Sequence, residues 1–303
     1  MTTQEALAGD EHGGDPMPKA EALVRVTIAY ALALFVGGLV LAFSDSSPLW
    51  RALQADVVAT LVIYAFSRWH GNSSFYDAYW SVIPPLLMLW WMAVGESGSL
   101  LRELAAMAIL LYWSVRLTCH WAYYWPGMEH EDWRYPHLKK RSGNLAWLMD
   151  LLGIHLFPTI QVFLGLLPVY AMTCLPTAAF NALDVVAIVV GVSAVTLQMM
   201  ADFQLHAFAA KHPSGTVLRT GLWSVCRHPN YLGEIGLWVS LALFGIAAYP
   251  AGFIWIVLGA VAMIVMFVFV SIPLMDERSL ERRPGYDAVM AEIPALLPSP
   301  WKR

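Results

Sequence analysis

Charge is scarce in this chain. Only 13% of its 303 residues are Asp, Glu, Lys or Arg, about half the share of an ordinary soluble domain, and no long polar stretch remains to fold as a separate globule. The net charge of −4 is not gathered into a basic face, which gives no reason to expect nucleic acid as a partner. Cysteine is equally sparse: Cys119, Cys174 and Cys226 form no CxxC pair and stand at no metal-ligand spacing with histidine. Neither a disulfide framework nor a metal centre is indicated. Several catalytic signatures are missing too. There is no GxGxxG and no P-loop, since Gly13-Gly14 and Gly37-Gly38 lack the required flanks, so any dinucleotide would have to be held by helices. Without HExxH or GxSxG, metalloprotease and serine-hydrolase readings have no support. The first twenty residues lack the basic start and apolar stretch of a secretory signal, and residues 1–21 read as a disordered polar tail.

What is abundant is apolar surface: 58% of residues are hydrophobic and 14 are Trp. Apolar runs near the length needed to cross the hydrocarbon occur at about Leu23–Phe43, Leu49–Phe66, Tyr79–Val94, Leu100–Thr118, Leu151–Met172, Leu183–Phe203, Tyr231–Ala248 and Ala251–Pro273. The expected fold is therefore an all-α integral membrane bundle of about eight helices, or seven if the last two runs, parted only by Tyr249-Pro250, are one. It would form a single domain over residues 22–303. Eight spans put all but Arg51 and Arg102 of the 18 Lys and Arg on one side. By the excess of Lys and Arg in cytoplasmic loops, that side is cytoplasmic, with both termini on it.

The densest polar stretch runs from Gly221 through Arg227-His228-Pro229-Asn230-Tyr231-Leu232-Gly233-Glu234 at the entry of an apolar run. As structure, Asn230 reads as an N-cap, with Gly233 allowing close helix contact. Capping does not call for Arg, His, Tyr and Glu as well. As function, Arg227 and His228 would face an anionic cofactor at a positive helix start, while Asn230, Tyr231 and Glu234 bond its polar parts. Upstream, Gln198 and Asp202 share one face of an apolar helix at i, i+4. They form either an interhelical clamp or part of the same grip. In the loop Glu129 to Arg141, Arg134 and Tyr135 would close over the cofactor, Arg supplying a bidentate phosphate contact; the alternative is a solvated basic loop. Arg278 is a further candidate, with Asp276 and Glu277 as its partners or as ribose contacts.

These residues carry a resemblance. Asp202-Phe203-Gln204, Phe208 and the stretch from Gly221-Leu222-Trp223 to Glu234 resemble the C-terminal part of the steroid 5-alpha-reductase-like and sterol reductase membrane enzymes. More narrowly, Phe75-Tyr76-Asp77, Glu131-Asp132-Trp133-Arg134-Tyr135 and Asp276-Glu277-Arg278 with Tyr286 look like the branch whose members carry the DUF1295 domain. The likeness is specific over residues 195–303, the implied cofactor-binding part, and looser before it. It implies a helical bundle that takes NADPH from the cytosol and delivers hydride to an activated C=C bond of a steroid-like or other lipid enone reaching it from the bilayer. Gln198 stands where the steroid reductases place a cofactor-binding Asn, while Asp202, Asn230 and Glu234 match directly. Met275-Asp276-Glu277-Arg278 replaces the family's His-rich segment, which bears on the substrate more than on the cofactor. Asp77 and Tyr112 stand near the family's acid and its partner tyrosine, with Trp113 competing for the tyrosine position. A buried protonated carboxyl could polarise an enone carbonyl. Two other readings stay open: a membrane methyltransferase using S-adenosylmethionine, of the isoprenylcysteine carboxyl type, and a non-catalytic lipid-binding protein.

Overall fold

Two interruptions set the outline of the bundle, and both have a covalent cause. Pro158 and Pro273 lack an amide donor, and each follows, after one residue, a widened π turn, Met149–Leu156 and Phe267–Ser271, where the helix takes up the lost hydrogen bond without stopping. The computed structural model describes residues 17–96 and 98–297. Its helices are α1 (Lys19–Phe43), α2 (Pro48–His70), α3 (Tyr79–Val94), α4 (Leu100–Tyr124), α5 (Arg134–Arg141), α6 (Gly143–Gly165), α7 (Leu167–Cys174), α8 (Ala182–Ala209), α9 (Pro229–Ala248), α10 (Pro250–Arg282) and α11 (Tyr286–Glu292). No strand occurs among the described residues.

Six helices, α1, α2, α6, α8, α9 and α10, are long and apolar enough to cross a membrane, which makes this a multi-pass membrane protein. The eight expected runs correspond to α1, α2, α3, α4, α6 with α7, α8, α9 and α10. At 16 residues α3 rises only about 24 Å, and α4 carries Arg102, Glu103 and Arg116. The fifth run is broken at Leu166, just before Pro168. Of the tail expected over 1–21, residues 1–16 lie outside the described residues; Lys19, Ala20 and Glu21 already form the first turn of α1, because Pro18 precedes a run without a helix breaker.

Small residues bring the helices together, as they must where burial of oil in oil gives no drive. Gly37 of α1 meets Ala55 and Ala59 of α2, and Ala22, Ala29 and Ala33 continue the buried face of α1 along the same helix pair. The most extensive seam is α8 on α9. There a Cβ on Gly233 would come within 2.6 Å of the Ala194 carbonyl oxygen and of Gln198 Cγ, and one on Gly236 within 2.8 Å of Ala194 Cβ. Ser240 seals the seam by donating to the Ala187 carbonyl at 2.7 Å. Outward faces are apolar, with Phe35, Val189 and Phe269 exposed, as suits contact with lipid.

The two ends differ. Every described Lys and Arg except Arg51 and Arg102 lies toward the end where α1 begins and α8 finishes, here termed the basic end. At the opposite end Arg102, wholly buried, forks onto Asp184 at 2.6 and 2.8 Å and donates to the carbonyls of Ala178 and Ala179. Asp184 also closes a capping box with Asn181 at the start of α8, so one ion pair ties α4, the α7–α8 connection and α8.

Candidate functional site

At the basic end three helices contribute polar groups to one cluster. Arg116 of α4 reaches across to α8, donating to Gln198 Oε1 at 2.6 Å and pairing closely with Asp202. Asn230 of α9 donates to the other Asp202 oxygen at 3.3 Å. Gln198 is 1% exposed, and its Nε2 has no partner among the described residues. A buried amide donor left open is costly unless something binds it. Farther in, Glu234 accepts from the indoles of Trp113 and Trp238, each at 3.0 Å. Those indoles meet edge-to-face and fix the carboxylate at the floor of the cluster.

Beside it lies the segment between α4 and α6, whose position follows from its own polar groups. Asn72 donates to the carbonyls of Met128 and His130, and Glu131 accepts from the Ser73 amide at 2.8 Å and from Lys139 at 2.7 Å. These bonds bring the first turn of α5 under the start of α3. There Tyr135 donates to Asp77 at 2.5 Å, and Trp121 donates to the other Asp77 oxygen at 3.3 Å. Burial pushes the Asp77 carboxyl up to about 6, against the lowering effect of the Tyr135 bond. Burial, with the Asp77 charge beside it, holds Tyr135 well above the usual phenol range. Arg134 forks onto Asp132. Burial alone would raise Asp132, but the bonds and charge of Arg134 outweigh it and leave it lowered. Arg278 lies over the Trp133 ring at 3.8 Å.

Several expectations change on this geometry. Gln198, Asp202, Asn230 and Glu234 do meet in one cluster, but Asn230 does not cap α9. Pro229 takes the first helical position, for which its fixed φ suits it, and this moves Asn230 inside the first turn. Arg227 and His228 face no open anion site: both hold Asp276, at 2.8 and 3.0 Å, as does Tyr286 at 2.9 Å, and Arg227 also donates to the Ile293 carbonyl. They pin α9 to α10 and to the segment after α11. Asp276 is thereby the partner of Arg227 and not of Arg278. Tyr231 stacks on His228 and packs against Phe267. Tyr112 is not brought to Asp77. Its hydroxyl is 3.4 Å from Thr196 Oγ1, and it lies nine residues before Trp121, roughly 13 Å higher along α4. The tyrosine that meets Asp77 is Tyr135.

Two residues escaped the sequence reading. Arg116 counted there only as one more basic residue of its end; the available signal was its i, i+3 spacing from Trp113, which sets both on one face of α4. Asp56, within α2 and 4% exposed, lies near the buried Tyr79 hydroxyl, which has no hydrogen-bond partner among the described residues. A lone carboxylate in an apolar span is itself a signal.

Comparison with known proteins leads to one family. Residues 34–292 match the family described as "Protein of unknown function (DUF1295)". The chain is also similar to the "Uncharacterized protein C594.04c" of Schizosaccharomyces pombe, 28% identical over 302 residues that cover 88% of this chain and 86% of that protein. No solved structure matches it.

Proposed function

The chain belongs to the DUF1295 family, and from the groups gathered at its basic end we propose that it is a membrane reductase that uses NADPH to saturate an activated C=C bond of a lipid-like enone. The observation that carries this reading is the Arg116–Gln198–Asp202–Asn230 cluster, with its open, buried Gln198 amide, near a carboxyl and a phenol, Asp77 and Tyr135, joined by a hydrogen bond. The donor set suits a nicotinamide nucleotide. Gln198 Nε2 and Asn230 offer an amide donor and acceptor for a carboxamide, Asp202 can accept from a ribose hydroxyl, and Arg134 can reach a phosphate. NADPH, when bound, supplies the hydride. The remaining work belongs to the chain. Arg116 holds Gln198 and Asp202 in register; Glu234 and its two indoles fix the floor; the Asp77–Tyr135 pair donates a hydrogen bond to the enone oxygen and supplies the one proton that, with the hydride, saturates the C=C bond. By the Lys and Arg asymmetry the basic end, and with it both termini, faces the cytoplasm, where the cofactor is available.

The test is thermal stability of detergent-purified protein with NADPH, NADH or S-adenosylmethionine, alongside Asn230→Ala and Asp202→Ala. A ligand bound only by the folded state at about 100 times its dissociation constant adds roughly 2.7 kcal/mol. Stabilisation by NADPH that both variants lose supports the reductase. Stabilisation by S-adenosylmethionine alone replaces it with a methyltransferase, and no response to any ligand removes the cofactor.

A further inference from the structure

Away from the basic-end cluster, the interior of the bundle holds a carboxyl that the proposed reaction does not use. Asp56 lies roughly 21 Å along α2 from the basic end of that helix at His70 and is 4% exposed. No ion pair joins it to a Lys, Arg or His among the described residues. The basic groups of this region are engaged elsewhere: Arg51, earlier in α2, donates to the Leu41 carbonyl at 3.3 Å, and His155 is held between Ser67 and the Asp150 carbonyl at 3.0 and 2.8 Å. Around Asp56 stand three buried hydroxyls, that of Thr60 one turn on along the same face of α2 and those of Tyr76 and Tyr79 from the segment that opens α3.

A lone carboxylate cannot stay charged inside an apolar bundle without a counter-charge, so Asp56 holds either a proton or a cation. The hydroxyl protons bear on which. Thr159 Oγ1 donates to the His155 carbonyl at 2.9 Å and lies 2.9 Å from Thr60 Oγ1 and 2.8 Å from Tyr76 Oη. A hydroxyl has one proton and two lone pairs, so these three bonds form together only if Thr60 and Tyr76 both donate to Thr159. Their own lone pairs are then left without a donor. Tyr30, whose ring meets that of Tyr79 at 5.8 Å, likewise gives its proton to the Phe75 carbonyl. Tyr79 carries the independent observation: it is 1% exposed, and its hydroxyl has no hydrogen-bond partner among the described residues. A simply protonated Asp56 would close on that hydroxyl to about 2.7 Å, as Asp77 closes on Tyr135. Oxygens gathered around a common ion stand farther apart than oxygens that share a proton. One negative charge, a surplus of lone pairs and a buried hydroxyl held near the carboxyl but not bonded to it call for a cation.

We propose that Asp56 binds a sodium ion inside the bundle, with the hydroxyl oxygens of Thr60, Tyr76 and Tyr79 completing its shell. Hard cations take oxygen ligands, carboxylate above all. A single carboxylate balances a single positive charge, whereas a divalent ion would leave a charge uncovered in an apolar interior. All four side chains belong to residues no more than 4% exposed, which suits a small ion stripped of its water and favours sodium over potassium. The ion ties α2 to the segment from Tyr76 to Tyr79. The proposal stands apart from the reductase reading, because none of these ligands belongs to the Arg116–Asn230 cluster and no nicotinamide enters the test.

The experiment measures the melting temperature of the full-length protein in neutral detergent at about pH 8, titrating sodium chloride against choline chloride at constant ionic strength and repeating the series with potassium chloride. It is run on wild type, Asp56→Asn, Tyr79→Phe and Glu281→Gln, the last removing an exposed carboxylate far along the chain. A ligand held only by the folded state raises the melting temperature along a saturation curve. The expected result is such a curve for sodium, a weaker one for potassium, none in Asp56→Asn, sodium affinity lowered several-fold in Tyr79→Phe and no change in Glu281→Gln. Protons compete for the same carboxylate, so the sodium midpoint of wild type should rise as pH falls; this and Tyr79→Phe decide the matter if Asp56→Asn fails to fold. Equal melting temperatures in sodium and choline overturn the proposal, and a wild type that responds to pH but not to sodium overturns it in favour of a protonated Asp56. A sodium response that Asp56→Asn retains, or that Glu281→Gln reduces equally, overturns it as well.

Discussion

Asp77→Asn isolates the carboxyl on which the proposed chemistry turns. Burial lifts Asp77 from an ordinary 3.8 to about 6, so between those values the folded protein keeps a proton that the unfolded chain has released. Stability from this group is therefore present at low pH and declines as pH rises through the window from about 4 to 6. At about 1.36 kcal/mol per pH unit the full span is about 3 kcal/mol, and partial exposure reduces it to about 2. Asn cannot ionise, so the variant escapes the decline. Melting curves of both proteins in one detergent, from pH 4.5 to pH 7.5, should show the variant gaining several degrees on the wild type across that range. A difference that stays constant with pH refutes the claim that Asp77 is held partly neutral by burial, and with it the assignment of Asp77 as the acid.

Other predictions concern the frame. Gly233→Ala should destabilise by about 1–3 kcal/mol, since the added methyl meets the Ala194 carbonyl and Gln198 Cγ at 2.6 Å in a seam with no slack. If NADPH binds as proposed, the same change weakens it by displacing Gln198, which titration by melting shift would read. Arg102→Met leaves Asp184 charged and buried at the opposite end and should cost about 3–5 kcal/mol. Adding Asp184→Asn should recover much of that loss, whereas equal melting temperatures for single and double variants would show that the ion pair is not what holds that end.

Legibility followed sequence distance. Helix positions were readable because an apolar run and a proline act locally: the boundaries of α1, α3 and α9 fall close to the ends of the hydrophobic stretches, while α8 runs on past Phe203 to Ala209. Gln198 with Asp202, and Asn230 with Glu234, were readable because each pair shares one helix face. Arg116 was not, because its partners lie 82 and 86 positions away and nothing in α4 alone says which neighbour its arginine will meet. The same holds for Tyr135, which read as a lid residue and instead donates to Asp77 from 58 positions away. Arg227 and His228 misled for the opposite reason: a dense local motif suggested a ligand, while the acceptor that both hold is Asp276 on α10.

The Gly233–Ala194 seam also divides the labour of the cluster. Gln198 and Asp202 stand on one side of it and Asn230 and Glu234 on the other, and a contact that leaves no room for a methyl group makes α8 and α9 one stiff blade. Asp77 and Tyr135 ride on separate pieces, the turn before α3 and the first turn of α5, joined to the blade through side chains and loops. Under the proposed function, grip and proton supply would then sit on different parts of the machine, and substitutions that loosen one would leave the other's geometry in place.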